Sequence, residues 1–243
     1  MTPTGTFTNI APGKGGILRD PQTLAWTPVD PLPALRRGAA GLRLAVLPDA
    51  ERTGVEKEVL AAYEAAVGAL AGLGAQIVRV EFPRRLSDYA KATGTIIGAE
   101  GYRFVGHLVD DPALPTDPHV RPRIQLGKAI SARDYLLALA QREEDRREFA
   151  AALGGVDAIL TPTAQTAAIP IDRADQSGTA AHFTRPGNYL GLCGLAIPSG
   201  FSTDGLPLSL QILCHAGEEA TALRIGWAYE QATSWKARRP PEP

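Results

Sequence analysis

The 243 residues, 44% apolar and 21% charged, have an ordinary globular composition and suffice to bury roughly 70 to 75% of their unfolded surface. With 25 basic and 26 acidic residues the formal charge is −1, which leaves no electrostatic footprint for nucleic acid or an anionic membrane. No apolar run reaches the about 18 residues of a membrane helix, and MTPTGTFTNIAPGKGG offers no secretion signal, so a cytoplasmic protein is expected.

Residues 1–38 are rich in Gly and Pro and lack any period, which predicts an irregular leader. Gly13–Gly16 has neither the spacing nor the flanking strand and helix of a phosphate loop, and reads as a turn. From residue 39 onward the pattern is structured. Leu42 to Leu47 is a short apolar strand. Val55 to Leu73 sets Val55, Val59, Ala62, Ala66, Leu70 and Leu73 on one helical stripe, and Gly74 stops it. Gln76 to Phe82 returns to strand alternation, giving a β-α-β unit with parallel strands. LPDAERTG stands where a dinucleotide site needs GxGxxG, so a Rossmann cofactor site is excluded.

Ser87 to Leu108 reads as a helix, and Pro112, Pro115, Pro118 and Pro122 then break the chain before a short element ending at Gly127. Ser131 followed by Asp134 caps a helix running to Leu153, with Tyr135, Leu136, Leu139, Phe149 and Leu153 inward and QREEDRRE as a solvated face. Glu143 and Arg147 have i,i+4 spacing on that face. Val156 to Leu160, Leu195 to Pro198 and Leu208 to Leu213 are apolar at nearly every position, the pattern of central strands buried on both faces. Glu218 to Ala232 is a final helix, followed by an exposed WKARRPPEP. The fold class is therefore α/β, a mixed sheet of about five or more strands covered by helices.

The familiar catalytic constellations are missing. None of the seven serines lies in GxSxG, and the four histidines form no HxxxH or HExxH, so no nucleophile elbow and no metal site is indicated and no cofactor is expected. Lys128 and Ser131 are three apart, but Ser131 fits the helix cap better than a Lys-activated nucleophile. Cys193 and Cys214 lack CxxC spacing and lie in apolar surroundings, where buried reduced thiols are favoured over a disulfide or a metal pair.

Three ordered blocks carry more: VDAILTPTAQTAAIPI, FTRPGNYLGLCGLAIPSGF and DGLPLSLQI. With GLRLAVLP, ALAGLGAQIVRVEFP, AEGYRFVGH, VRPRIQLGKAISARDYLLALAQR and EEATALRIGWAYEQATSW in the same order, the chain resembles the C-terminal part of the amidase signature family, over about Gly41 to Pro241. That resemblance implies hydrolysis of linear carboxamides through a Ser-cisSer-Lys triad, in which a neutral lysine draws a proton through a bridging serine and backbone N–H groups hold the oxyanion. The Gly/Ser-rich segment that carries the triad has no counterpart in these 243 residues, so no residue receives a catalytic role and inactivity of the chain alone is expected.

The resemblance also implies a substrate wall: Thr161, Thr184 and Asn188 as lining residues, and Arg123, or else Arg121, as the arginine that binds the glutamine carboxylate in the A subunits of tRNA-dependent amidotransferases. The acidic residue that those subunits place shortly before FT is here Ala181 or His182, which argues for a general amidase. Expected partners are a small-molecule amide and, because apolar strands need cover, either a second copy or an N-terminal amidase half. A non-catalytic binding or scaffold protein is the alternative.

Overall fold

Short apolar runs alternate with longer amphipathic ones, and the computed structural model, which describes residues 30–175 and 180–238, assembles them into a single five-stranded sheet. Most of the expected leader and the last five residues lie outside the described part. Within the remainder of that leader, α1 (Leu32–Leu35) packs on the C-terminal helix, where Arg224 Nε donates to the Gly38 carbonyl at 2.6 Å. Then come β1 (Arg43–Val46), α2 (Lys57–Gly72) and β2 (Gln76–Arg79), with β1 and β2 parallel as the sequence requires. A long helix, α3 (Leu86–Val109), leads through the Pro-rich loop to α4 (Val120–Gln125), a 3-10 turn at Leu126–Ala129, and α5 (Ala132–Ala152). The chain closes with β3 (Ala158–Pro162), α6 (Thr184–Leu190), β4 (Cys193–Phe201), β5 (Pro207–Cys214) and α7 (Glu219–Ala232).

The strand order is β2-β1-β3-β5-β4, parallel across β2, β1 and β3 and antiparallel from β3 through β5 to β4. The two helix layers follow from strand alternation. Leu195 and Ile197 of β4 face Gly226 of α7, while Gly194 and its register partner Leu213 face Gly187 of α6. So α7 and α2 cover one face, and α6, backed by α3 and α5, lies on the other. β3 is buried at all five positions, the central strand that its apolar run predicts. β4 departs from that expectation: it is an edge strand with Gly194, Ala196 and Pro198 exposed. Its apolar run consists of large residues on one face and small ones on the other, and a hydrophobicity pattern does not register that difference in size.

One helix start carries the side-chain cap that the sequence implies: Ser131 Oγ accepts from Asp134 N at 3.1 Å. Leu136 departs from the expected inward set and is 63% exposed. The paired charges on α5 are Glu143 with Arg146 and Glu144 with Arg147, one residue off the expected i,i+4 pair. Among the described residues no helix is long and apolar enough to cross a membrane.

One buried tyrosine ties β1 to β3. Tyr63, on α2, accepts from Leu47 N at 2.8 Å and donates to the Leu160 carbonyl at 3.1 Å, and burial pushes its phenol up to about 12. Tyr63→Phe leaves that buried N–H without its acceptor and is expected to cost about 2 kcal/mol in urea denaturation. A loss under about 0.5 kcal/mol would show that the hydroxyl is dispensable.

Candidate functional site

In α/β sheets the carboxyl ends of parallel strands are where side chains converge without strands to cover them. Here β1 and β2 release their chains at Leu47 and Val80, and the loops that follow enclose a cleft of 340 Å³ between Pro48, Glu51, Phe82, Arg84, Arg85 and Asp88. Glu51, in the stretch LPDAERTG that lacks a cofactor motif, is only 3% exposed. Its Oε1 meets Arg85 Nε at 2.6 Å and the Leu86 N–H at 3.4 Å, and its Oε2 lies 3.8 Å from His182 Nε2. Arg85 also bonds the Ala50 carbonyl. Burial holds the His182 imidazole below its ordinary pKa against the pull of Glu51, with Arg85 acting in the same sense as burial. Burial thus favours the neutral form of His182.

His182 leads directly into the first of the expected wall residues. The carbonyl of Phe183 accepts from Gln211 Nε2 at 3.0 Å, and the same amide nitrogen donates to Thr161 Oγ1 at 3.0 Å. Thr161 Oγ1 in turn donates to the Pro162 carbonyl at 2.8 Å. Gln211 thus joins the end of β3, the middle of β5 and the entry to α6, all of it buried. The register places Gln211 opposite Thr161 on one side and Ala196 on the other. Sequence reading missed Gln211 although it sits in DGLPLSLQI; a lone glutamine in an otherwise apolar strand is the signal that was available.

Thr184 opens α6 and is partly buried, and Asn188 lies on its exposed side. The turn is held from α5: Arg142 Nε donates to the Tyr189 carbonyl at 2.6 Å and its Nη2 to the Asn188 carbonyl at 3.2 Å. Thr161 and Thr184 are therefore drawn together through Gln211 and Phe183, with Asn188 one helical turn further on. Arg123 stands on a different element. It lies on α4 between Arg121 and Gln125, both of which bond the Val109 carbonyl at the C-terminus of α3, whereas α6 meets α3 at Tyr89, near its N-terminus. The rise per residue puts those two anchor points about 30 Å apart along the helix. Arg121 holds the carbonyls of Val109, Asp111 and Leu114 and the Thr116 hydroxyl, a clamp on the Pro-rich loop.

A second buried acid joins the cleft to α5 and α6. Asp145, within the charge run whose pattern predicts a solvated face, is instead fully buried and accepts from Arg84 at 2.8 and 2.9 Å, Tyr189 at 2.8 Å and Gln141 at 3.1 Å. Burial pulls its pKa upward, but the bonds from Tyr189, Arg84 and Gln141 outweigh it and hold the carboxyl below its usual range. Three buried side-chain polar atoms among the described residues lack a hydrogen-bond partner: Tyr89 OH, Thr163 Oγ1 and His182 Nε2. The last two belong to the rim formed by the end of β3 and the start of α6.

The Lys128 and Ser131 pair is spoken for. Lys128 Nζ bonds Asp110 at 2.9 Å, and Ser131 Oγ bonds Asp134 at 2.6 Å. No cluster of three or more His, Cys, Asp or Glu suited to a metal occurs among the described residues.

Comparison with known proteins gives these features a lineage. The Amidase family model matches residues 17–223. The A subunit of glutamyl-tRNA(Gln) amidotransferase from Trichlorobacter lovleyi is 34% identical over 236 residues, spanning 85% of this chain and 48% of the relative. A crystal structure of an amidase superposes with a TM-score of 0.71 at 26% identity, over 81% of this chain and 46% of that one. For 6-aminohexanoate cyclic dimer hydrolase the TM-score is 0.76 at 21% identity, over 92% and 52%, a likeness of fold alone. The chain thus spans about half the length of the relatives it matches. Motifs in family order, a shared mixed sheet and a match across most of the sequence agree: the chain belongs to the amidase signature family.

Proposed function

We propose that residues 39–243 form the substrate side of an amidase-type centre for linear carboxamides, and that hydrolysis requires a Ser-cisSer-Lys segment these residues do not supply. The observation that carries this reading is the Gln211 knot, which fixes the end of β3 to the start of α6, where the preceding His182 lies 3.8 Å from Glu51 of the cleft at the carboxyl ends of the strands. In this reading Thr161 shapes the wall while Thr184 and Asn188 line it, with Arg123 a further candidate for a carboxylate-bearing end of a substrate. An amide offers a carbonyl acceptor and an N–H donor, which Thr163 Oγ1 and a neutral His182 Nε2 are chemically suited to meet.

Lys128 and Ser131, three apart in sequence, are each committed to a carboxylate and so make no substitute for that segment. This observation also favours the second reading, a protein that binds small amides without cleaving them. The partner in the first reading is a chain bearing the complementary amidase half, or a second copy. Ile97, Phe104 and Leu108, exposed along α3, are consistent with either, as apolar surface of this kind marks contact sites.

The test is ammonia release from aliphatic and aryl amides, paired with ligand-induced shifts of the unfolding midpoint. No ammonia above the blank and a midpoint raised by amides, with the rise lost in Asn188→Ala, is the expected result. Turnover that copurifies with the chain would overturn the claim of inactivity. Neither turnover nor a shift would remove the substrate-wall reading.

A further inference from the structure

β4 and β5 are consecutive antiparallel strands, and their register sets Cys193, the first residue of β4, directly opposite Cys214, the last of β5. Residues so opposed have Cα atoms about 4.5 to 5.5 Å apart, inside the range of roughly 4.4 to 6.8 Å that a disulfide spans. Both thiols are free. Cys193 is half-buried and Cys214 fully buried. The Cys193 thiol also donates to the His215 carbonyl at 3.4 Å, so it is turned toward the end of β5 rather than away from it. We propose that Cys193 and Cys214 are a dithiol modification site, oxidised to an intrachain disulfide by low-molecular-weight disulfides such as oxidised glutathione.

The order of events follows from accessibility. Cys193, as thiolate, attacks one sulfur of the oxidant; the oxidant's S–S bond breaks and one glutathione thiolate leaves. Cys214 then gives its proton to solvent and attacks the Cys193 sulfur; the mixed disulfide breaks and the second glutathione thiolate leaves. Two protein thiols are oxidised and one small disulfide is reduced. The neighbouring thiols lower the Cys193 pKa and, together with burial, raise that of Cys214 well above its own, in line with attack by the more accessible Cys193 and resolution by Cys214.

The site has a structural consequence for the wall. Cys193 follows α6 after Gly191, whose φ of 70° ends that helix, and Leu192. A bond to Cys214 pins this exit to β5, the strand that also carries Gln211, so oxidation stiffens the attachment of Thr184 and Asn188 to the sheet.

The experiment is incubation of the folded chain with oxidised glutathione, followed by thiol titration and intact mass measurement. Titratable thiols are expected to fall from two to none, with the mass of two hydrogens lost and no glutathione retained, and dithiothreitol to restore both. Cys214→Ser should retain one glutathione on Cys193, whereas Cys193→Ser should leave Cys214 unmodified. Hydrogen exchange at 191–193 should slow on oxidation of the native chain. Persistence of two thiols, a stable glutathione adduct on the native chain, dimers linked by disulfide, or modification of Cys214 in Cys193→Ser would each overturn the proposal.

Discussion

Asp145→Ala is expected to lower the unfolding free energy by about 3 kcal/mol, because removing one member of a buried ion pair strands its partners. Arg84 loses both of its bonds, and Tyr189 and Gln141 lose their acceptor, at the junction of the cleft with α5 and α6. Arg84 is about one-third exposed and can recover water, which keeps the cost at the low end of that class. Glu143→Ala, on the exposed side of the same helix, is the control and should change stability by less than about 0.5 kcal/mol. Urea denaturation of the two variants decides it; equal effects would mean that Asp145 contributes no more than a surface charge. The pH dependence has a fixed sign. A carboxyl whose folded pKa lies below its unfolded value of about 3.9 stabilises the protein above that value, and loses the contribution as pH falls through the folded pKa. Arg84→Met removes the cation and two hydrogen bonds while leaving Asp145 buried, so acid unfolding should move to higher pH in that variant. No movement would show that Arg84 is not what holds the carboxyl ionised.

Asp145 also marks where sequence reading met its limit. Periodicity locates β1, α2, α3, α5, β5 and α7 to within about two residues, whereas β2 ends at Arg79 rather than Phe82 and β3 runs two residues later than its apolar run, Val156 to Leu160. It gave no reason to single out one acid in QREEDRRE. Asp145 precedes Phe149 by one helical turn and so shares its inward face, but a charge is read as inward only when its partners are known, and these come from the 82–85 segment and from α6. Helix α6 itself was hidden for a related reason. TRPGNYL holds Pro, Gly and Asn, all poor helix formers, and the helix persists because Tyr189 and Leu190 are buried and Arg142 takes up its last carbonyls. The motif resemblance singles out Thr161, Thr184, Asn188 and His182, while the bonds of Gln211 and the contact of buried Glu51 with His182 require the sheet register and the packed loops to become visible.

Gly127→Ala is the second large effect expected, and it separates two parts of the molecule. A Cβ at Gly127 would stand 2.0 Å from the Gly98 carbonyl oxygen and 2.6 Å from Tyr102 Cβ, a clash with backbone that no rotamer relieves. The 126–129 turn would have to lift off α3, at a cost near the upper end of the range for overpacking, about 3 kcal/mol. Gly94 and Gly101 on the same helix have nothing within 4 Å of the place where a Cβ would stand. Alanine there should stabilise by up to about 1 kcal/mol through helix propensity alone. Opposite signs from the same substitution would establish that close approach, not helix propensity, explains Gly127. The loss should also be local. The 126–129 turn packs on the middle of α3, at Gly98 and Tyr102, and α4 on its C-terminus, whereas Tyr189 of α6 meets Tyr89 near the N-terminus. Hydrogen exchange in Gly127→Ala should therefore accelerate over 110–130, the segment that carries Arg123, before it changes over 184–190. If both segments loosen together, α3 transmits the strain along its length, and the segment that carries Arg123 is coupled to α6.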